Sequence, residues 1–130
     1  MKSSTQKQVK KVMIGRKMEN EVTKLSEIDI EKAVDWLRDN ADYCAECKAN
    51  RVYLEEYRKS LKALLMKNYP ELSVSAQERE AYAHQDYQKH LKALKQAVFL
   101  DEKMKFLRVS AEVKIEAWRT QQANIRSIKL

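Results

Sequence analysis

The sequence predicts an all-α fold: two long helices in an antiparallel helical hairpin, a short helix near the turn, and assembly into a homo-oligomer. Three observations lead there. The 130 residues include 1 Gly and 1 Pro, which leaves almost none of the turn chemistry that all-β and doubly wound folds need. Apolar residues recur at steps of three and four both before and after Pro70. No run approaches the ~18 consecutive apolar residues of a membrane span. The length suits one domain.

Taken in order, residues 1–25 have no sustained period and read as a flexible basic arm, with at most a helical turn around Val9 to Ile14. "SEID" offers cap-type side chains, so a helix is expected to start near Ser26 or Asp29. Ile30, Ala33, Val34, Leu37, Ala41 and Cys44 follow helical spacing, and the seam drifts to Cys47, Leu54, Tyr57, Leu61 and Leu64. One unbroken helix is expected to run to about Asn68, since the residue before Pro70 is pushed out of the helical region.

"SVSAQE" restarts the chain with Ser75 and Glu78 placed as a capping box, and a short helix is expected over about 76–83. Ala93, Ala97, Leu100, Met104, Leu107, Ala111, Ile115, Trp118 and Ile125 form the second seam. Each long helix comes to about 40 residues and about 60 Å. Residues 26–130 are the expected hairpin domain. A hairpin leaves Tyr43, Leu65, Val98, Phe99, Phe106 and Val113 on other faces, and small cores of this kind need more helices or more copies. Ile115, Trp118, Ile125 and Ile128 are therefore expected at an oligomer interface. Trp36 and Trp118 read as core or interface anchors.

The net charge is +7, but the chain is electrically bipolar. Residues 1–17 carry +6, residues 18–47 carry −6, residues 48–67 carry +4 and residues 68–130 carry +3. "MENEVTKLSEIDIEKA", from Met18, also reads as a protein start; residues 1–17 would then be untranslated and the charge would fall to +1. The patch at 48–67 survives either start. "MKSSTQKQVKKVMIGRK" lacks the apolar core of a signal peptide, so a cytoplasmic protein with reduced cysteines is expected.

"EEYRKSLKALLMKNYPE" (Glu55 to Glu71) crowds cations among tyrosines. On a helix Lys48, Arg51, Glu55, Arg58 and Lys62 share a face, with Lys59 beside them and Lys67 at the end. In a hairpin Arg79, Lys89, Lys92 and Lys95 return to the same pole. Single-stranded nucleic acid wants cations along a phosphate track and aromatic faces for bases. Tyr53, Tyr57 and Tyr69 are near enough to supply the faces. The plainer reading is a solvated helix face with Glu55 and Glu56 in local ion pairs.

"CAEC" (Cys44 to Cys47) has zinc or redox spacing. Its only candidate co-ligands, His84 and His90, fall near the start of the second long helix, while Cys44 lies about 36 Å before the end of the first. A redox pair gains its low pKa from a helix N-terminus, and this one is expected mid-helix. Small residues at a buried seam are the better reading, and no metal site or cofactor is expected. One glycine excludes a phosphate-cradling loop, and no HExxH or GxSxG is present. Asp101–Glu102 and Glu112/Glu116 read as helix-surface acids, and His84 and His90 as exposed helical histidines. No enzyme is expected.

"VDWLRDN", "RVYLEEYRKSLKALLM", "AQEREAYAHQDYQKHLKALKQA" and "IEAWRTQQANIR", in that order, give a layout with a likeness. Over about residues 30–127 the chain resembles small phage-encoded helical proteins found with single-strand annealing and recombination functions. More distantly it resembles the UvsY family of phage recombination mediators. The comparable helix there carries a basic segment with a "LKA" core that engages single-stranded DNA. Leu61, Lys62 and Ala63 occupy that place here, flanked by Arg58, Lys59 and Lys67, so the resemblance implies Lys62 as the strongest candidate. It departs at the family's next basic position, which is Leu64 or Leu65 in this chain.

The resemblance also implies ring-like oligomers assembled partly through C-terminal helices. The expected function is then that of a phage-type recombination mediator, holding single-stranded DNA and assisting a recombinase or annealing protein in the host cytoplasm. The acidic stretch at 27–46 would face such a recombinase or a single-strand-binding protein. The alternative is a non-enzymatic scaffold of phage assembly, with bipolar charge packing protomers end to end.

Overall fold

A computed structural model describes residues 25–129, and every element among them is a helix. These are α1 (Glu27–Asp39), α2 (Ala41–Met66), α3 (Val74–Ala83) and α4 (Gln85–Ile128). The predicted basic arm lies outside the described residues except for Leu25. None of the described helices is long and apolar enough to cross a membrane.

α1 begins as "SEID" predicts. The Ser26 backbone N–H donates to Asp29 Oδ2 at 3.1 Å, and the Asp29 N–H donates to Ser26 Oγ at 3.3 Å. Two donors that the helix start leaves open are thereby satisfied reciprocally. These bonds to Ser26 hold the Asp29 carboxyl below its ordinary value.

The first long helix is not continuous. Asn40 leaves helical geometry at φ −103° and ψ 5°, and its carbonyl accepts from the Cys44 N–H at 2.9 Å to start α2. Asn40 makes no side-chain capping hydrogen bond there, and no glycine or proline stands at the interruption. The break moves Cys44 from the expected helix middle to the second turn of α2. Cys47 is buried.

The described residues divide into two units, one formed by Leu37–Ser110 and the other joining those up to Trp36 to those from Ala111 onward. In the first, covered positions on α2 step by three and four through Cys44, Cys47, Arg51, Leu54, Leu61 and Leu65, interrupted by exposed Arg58. Those on α4 do the same through Tyr87, His90, Leu94, Ala97, Asp101 and Met104. That alternation is a heptad seam. It corrects the expected one: Leu65 is core while Leu64 is exposed, and Ala93 and Leu107 face outward. Three seam positions, Arg51, His90 and Asp101, are polar, which is why an apolar-only pattern slipped register.

Each of those polar residues is answered. His90 Nε2 lies 2.7 Å from the Leu54 carbonyl. Arg51 Nη1 sits 2.9 Å from Asp101 Oδ2 and 3.1 Å from Glu102 Oε1. His90 and Asp101 are therefore not the surface residues the sequence suggested; both are buried.

α3 packs on the end of this seam. Ala81 is fully covered and lets the helix approach Leu65 and Tyr87, with Leu61, Met66 and Leu91 around them. Its N-cap is Ser73, whose Oγ accepts from the Ala76 N–H at 3.3 Å, two residues earlier than the expected Ser75–Glu78 box. Between α3 and α4, His84 adopts an extended backbone (φ −64°, ψ 141°), and its Nδ1 accepts from the Asp86 N–H at 3.0 Å. The histidine thus serves as the cap of α4.

In the second unit Ile30, Ala33 and Ala111 are buried, and Trp36, Ile115 and Trp118 are half-buried. The Lys114 ammonium contributes to holding Asp29 ionised. Ile125 and Ile128 are exposed.

Candidate nucleic-acid interface

The residues singled out from sequence do not form one row. Lys48, Arg51, Glu55, Arg58 and Lys62 do follow helical spacing on α2, but the fold assigns them to different neighbours. Arg51 turns into the seam, where Asp101 and Glu102 hold it at 2.9 and 3.1 Å and Glu55 lies 3.7 Å away. Its charge is answered within the protein. Lys48 is exposed but lies ten residues before Arg58, about 15 Å along the helix.

Arg58 occupies a seam position that a guanidinium cannot share with the core, and there the seam opens. Arg58, Lys59, Lys62, Ala63 and Met66 from α2 line an open groove together with Tyr82 of α3 and Tyr87 of α4. Lys59 and Glu56 are 3.5 Å apart with both side chains more than two-thirds exposed, a pair that water screens. Arg58 is exposed and has no carboxylate partner among the described residues.

Lys62 is placed differently. Its Nζ lies 3.2 Å from Glu78 Oε1 and 4.9 Å from the Tyr82 ring centroid. Hydrogen bonds to Tyr82 and to Glu78 push its ammonium above the ordinary lysine value. The residue that the resemblance favours most is therefore already paired.

The aromatic groups also redistribute. Tyr82 and Tyr87 meet edge to face at 5.2 Å, with Tyr87 buried as the floor and Tyr82 exposed at the rim. Neither was among the predicted site residues. The signal available was "AYAHQDYQ", two tyrosines placed across a helix junction, which spacing on one helix cannot bring together. Tyr57 stacks on Tyr53 at 5.9 Å and leans on His90 at 5.6 Å, so it belongs to a second aromatic cluster on α2. Tyr69 is half-buried after α2, its carbonyl accepting from Gln77 Nε2 at 2.8 Å, and Lys67 is exposed at the helix end.

Compared with models of protein families, with curated proteins and with solved structures, the chain matches none.

Lys89 and Lys92 are exposed on α4 but lie two and five residues beyond Tyr87, which turns them to faces of the helix away from the groove. Ile115 and Trp118 are half-buried, whereas Ile125 and Ile128 present their side chains to solvent. No cluster of three His, Cys, Asp or Glu suited to a metal occurs among the described residues. Tyr43 reaches Cys47, and that contact pushes the phenol above its ordinary value.

Chemically, the groove offers two open cations, one paired cation and an exposed phenol ring above an apolar floor. Such a surface takes a polyanion that also carries flat apolar groups.

Proposed function

We propose that this protein is a non-enzymatic, homo-oligomeric binder of single-stranded DNA acting as a phage-type recombination mediator. The observation that supports it is the groove itself, where Arg58 and Lys59 stand beside the exposed Tyr82 ring. Guanidinium and ammonium groups would take phosphates while the ring takes a base, without sequence preference. Lys67, exposed just beyond the groove on α2, would extend the phosphate track. Lys48, Lys89 and Lys92 would act as more distant contacts reached by a wrapping strand. Arg51 and Tyr57 are better read as structural.

The Leu54–His90 and Arg51–Asp101 contacts run in opposite directions along α2 and α4, which supports the antiparallel hairpin. In the oligomer, exposed Ile125 and Ile128 with half-buried Ile115 and Trp118 would meet a neighbouring copy. The acidic stretch at 27–46 would remain open to a recombinase, an annealing protein or a single-strand-binding protein. No catalytic step is required, because organising a strand and exchanging partners suffices.

The test is a salt titration of binding to a labelled single strand and to its duplex. Tight binding that weakens steeply with salt and prefers the single strand supports the reading. Equal affinity for duplex, or no salt dependence, removes it.

A second reading has its own observation. Phe99, Phe106 and Val109 are exposed at heptad-related places on α4, with Phe106 the most open at 73%. Exposed aromatic stripes mark contact with other chains, which favours an assembly or scaffold role. Neutralising Arg58 and Lys59 would leave assembly intact under that reading, whereas reversing the charges at 27–46 would break it.

A further inference from the structure

We infer that Glu78 is a built-in competitor for the strand: its carboxylate occupies Lys62 in the free protein and is displaced by a phosphate on binding. This rests on the strand-binding reading of the groove.

The three groove cations are not equivalent. Arg58 and Lys59 come from α2 alone and are open or paired only across solvent. Lys62 is answered from another element, by Glu78 of α3 at 3.2 Å, with its side chain 27% exposed and that of Glu78 43% exposed. Tyr82 of the same short helix has its ring 4.9 Å from the ammonium. α3 thus carries both the competing anion and the ring proposed to take a base.

Two consequences follow from the charges. A phosphate reaching Lys62 must exchange one charge-assisted contact for another, so Lys62 contributes little net affinity in the native chain. The Glu78 charge also opposes phosphates approaching Arg58 and Lys59 from the α3 side. Being nearly half exposed, the Glu78 side chain can swing into water once replaced, at small cost.

Glu78→Gln keeps the shape and the acceptor toward Lys62 but removes the charge. Measured on the full chain by fluorescence anisotropy with labelled oligo-dT, it is expected to bind about two- to fivefold tighter. Its log affinity against log salt is expected to keep the wild-type slope, since the same phosphate reaches Lys62 in both chains. Lys62→Ala in the Glu78→Gln background should erase the gain. Glu78→Asp, which keeps the charge, should show no gain. Circular dichroism monitors helicity throughout, and Glu78→Ala repeats the measurement if the glutamine disturbs α3.

An Arg58→Ala/Lys59→Ala chain separates the two ways of being wrong. If it loses affinity while Glu78→Gln binds no tighter than wild type, the competitor role is overturned and the groove stands. If wild type fails to bind oligo-dT, or binds it equally without Arg58 and Lys59, both are overturned.

Discussion

Arg51 and Asp101 face each other across α2 and α4, with Arg51 Nη1 2.9 Å from Asp101 Oδ2 and the two side chains 19% and 3% exposed. The contact is close, yet Asp101 Oδ2 and Arg51 Nε have no hydrogen-bond partner among the described residues. Lys105 Nζ, 3.6 Å from the same oxygen, adds a second cation. The pair joins parts of the chain on opposite sides of Pro70, so it selects which residues of α2 meet which residues of α4. A charge pair held this way is a means of fixing register, since a slip of one heptad would strand a buried carboxylate.

Asp101→Ala is expected to lower stability, though by less than the ~3–5 kcal/mol of a fully uncompensated buried charge, because Glu102 still holds Arg51 at 3.1 Å. Replacing both, as Arg51→Met/Asp101→Leu, is expected to be close to neutral or stabilising. Urea unfolding followed by circular dichroism measures both. Equal destabilisation by the single and double variants would show that packing, and not the charge pair, matters at this site.

Leu65 and Leu64 are adjacent and should behave oppositely. Leu65 is 5% exposed beside Ala81 and Tyr87, whereas Leu64 is 51% exposed. Leu65→Ala should cost about 2–5 kcal/mol through reduced burial and the cavity left behind. Leu64→Ala should stay within about 0.5 kcal/mol. Thermal or urea midpoints that ranked them the other way would reject Leu65 as the residue facing the seam.

Removing both open groove cations, Arg58→Ala/Lys59→Ala, should weaken binding to a single strand without changing helicity. Each cation answers one phosphate, so without the two the slope of log affinity against log salt should flatten by about 1.4. Arg51→Ala, in contrast, should show itself in unfolding and leave the salt slope unaltered.

Acid should act on α1 through its cap. The bonds from Ser26 hold the Asp29 carboxyl below its ordinary value, so its folded pKa is depressed relative to the unfolded chain. Its contribution is therefore complete above the ordinary carboxylate value and is lost as pH falls through the lowered one. A carbon-detected NMR titration of Asp29 should give a midpoint below that of an unstructured aspartate. Ser26→Ala should return the midpoint toward the ordinary value; an unchanged midpoint would assign the shift to another cause.

Oligomerisation can be tested on α4. Phe99→Asp/Phe106→Asp should shift sedimentation toward smaller species if that stripe meets another copy, and Ile125→Asp/Ile128→Asp should do so if the C-terminal end does. Indifference to both pairs would place any self-association elsewhere.

The sequence by itself determined that this chain is helical. Scarce Gly and Pro left few turns, "SEID" placed the start of α1, Pro70 bounded α2, and the polar run after it set off a short helix before a long one. These are local effects, decided by capping, proline geometry and side chains within a few residues. The interruption at Asn40 was harder to read, because asparagine permits a break without requiring one. Only the tertiary structure decided which helical face is inside. His90 and Asp101 are buried, and Arg51 is partly covered, because each finds a partner on another helix, and partners from distant parts of the chain carry no signature in local spacing. The same holds for the candidate site. The basic residues of α2 were legible as a charge run, but their division was not: Arg51 is claimed by Asp101, Lys62 by Glu78, and Arg58 and Lys59 are left open beside Tyr82. A cation's availability depends on which anion the fold brings to it, and that is settled by packing between elements.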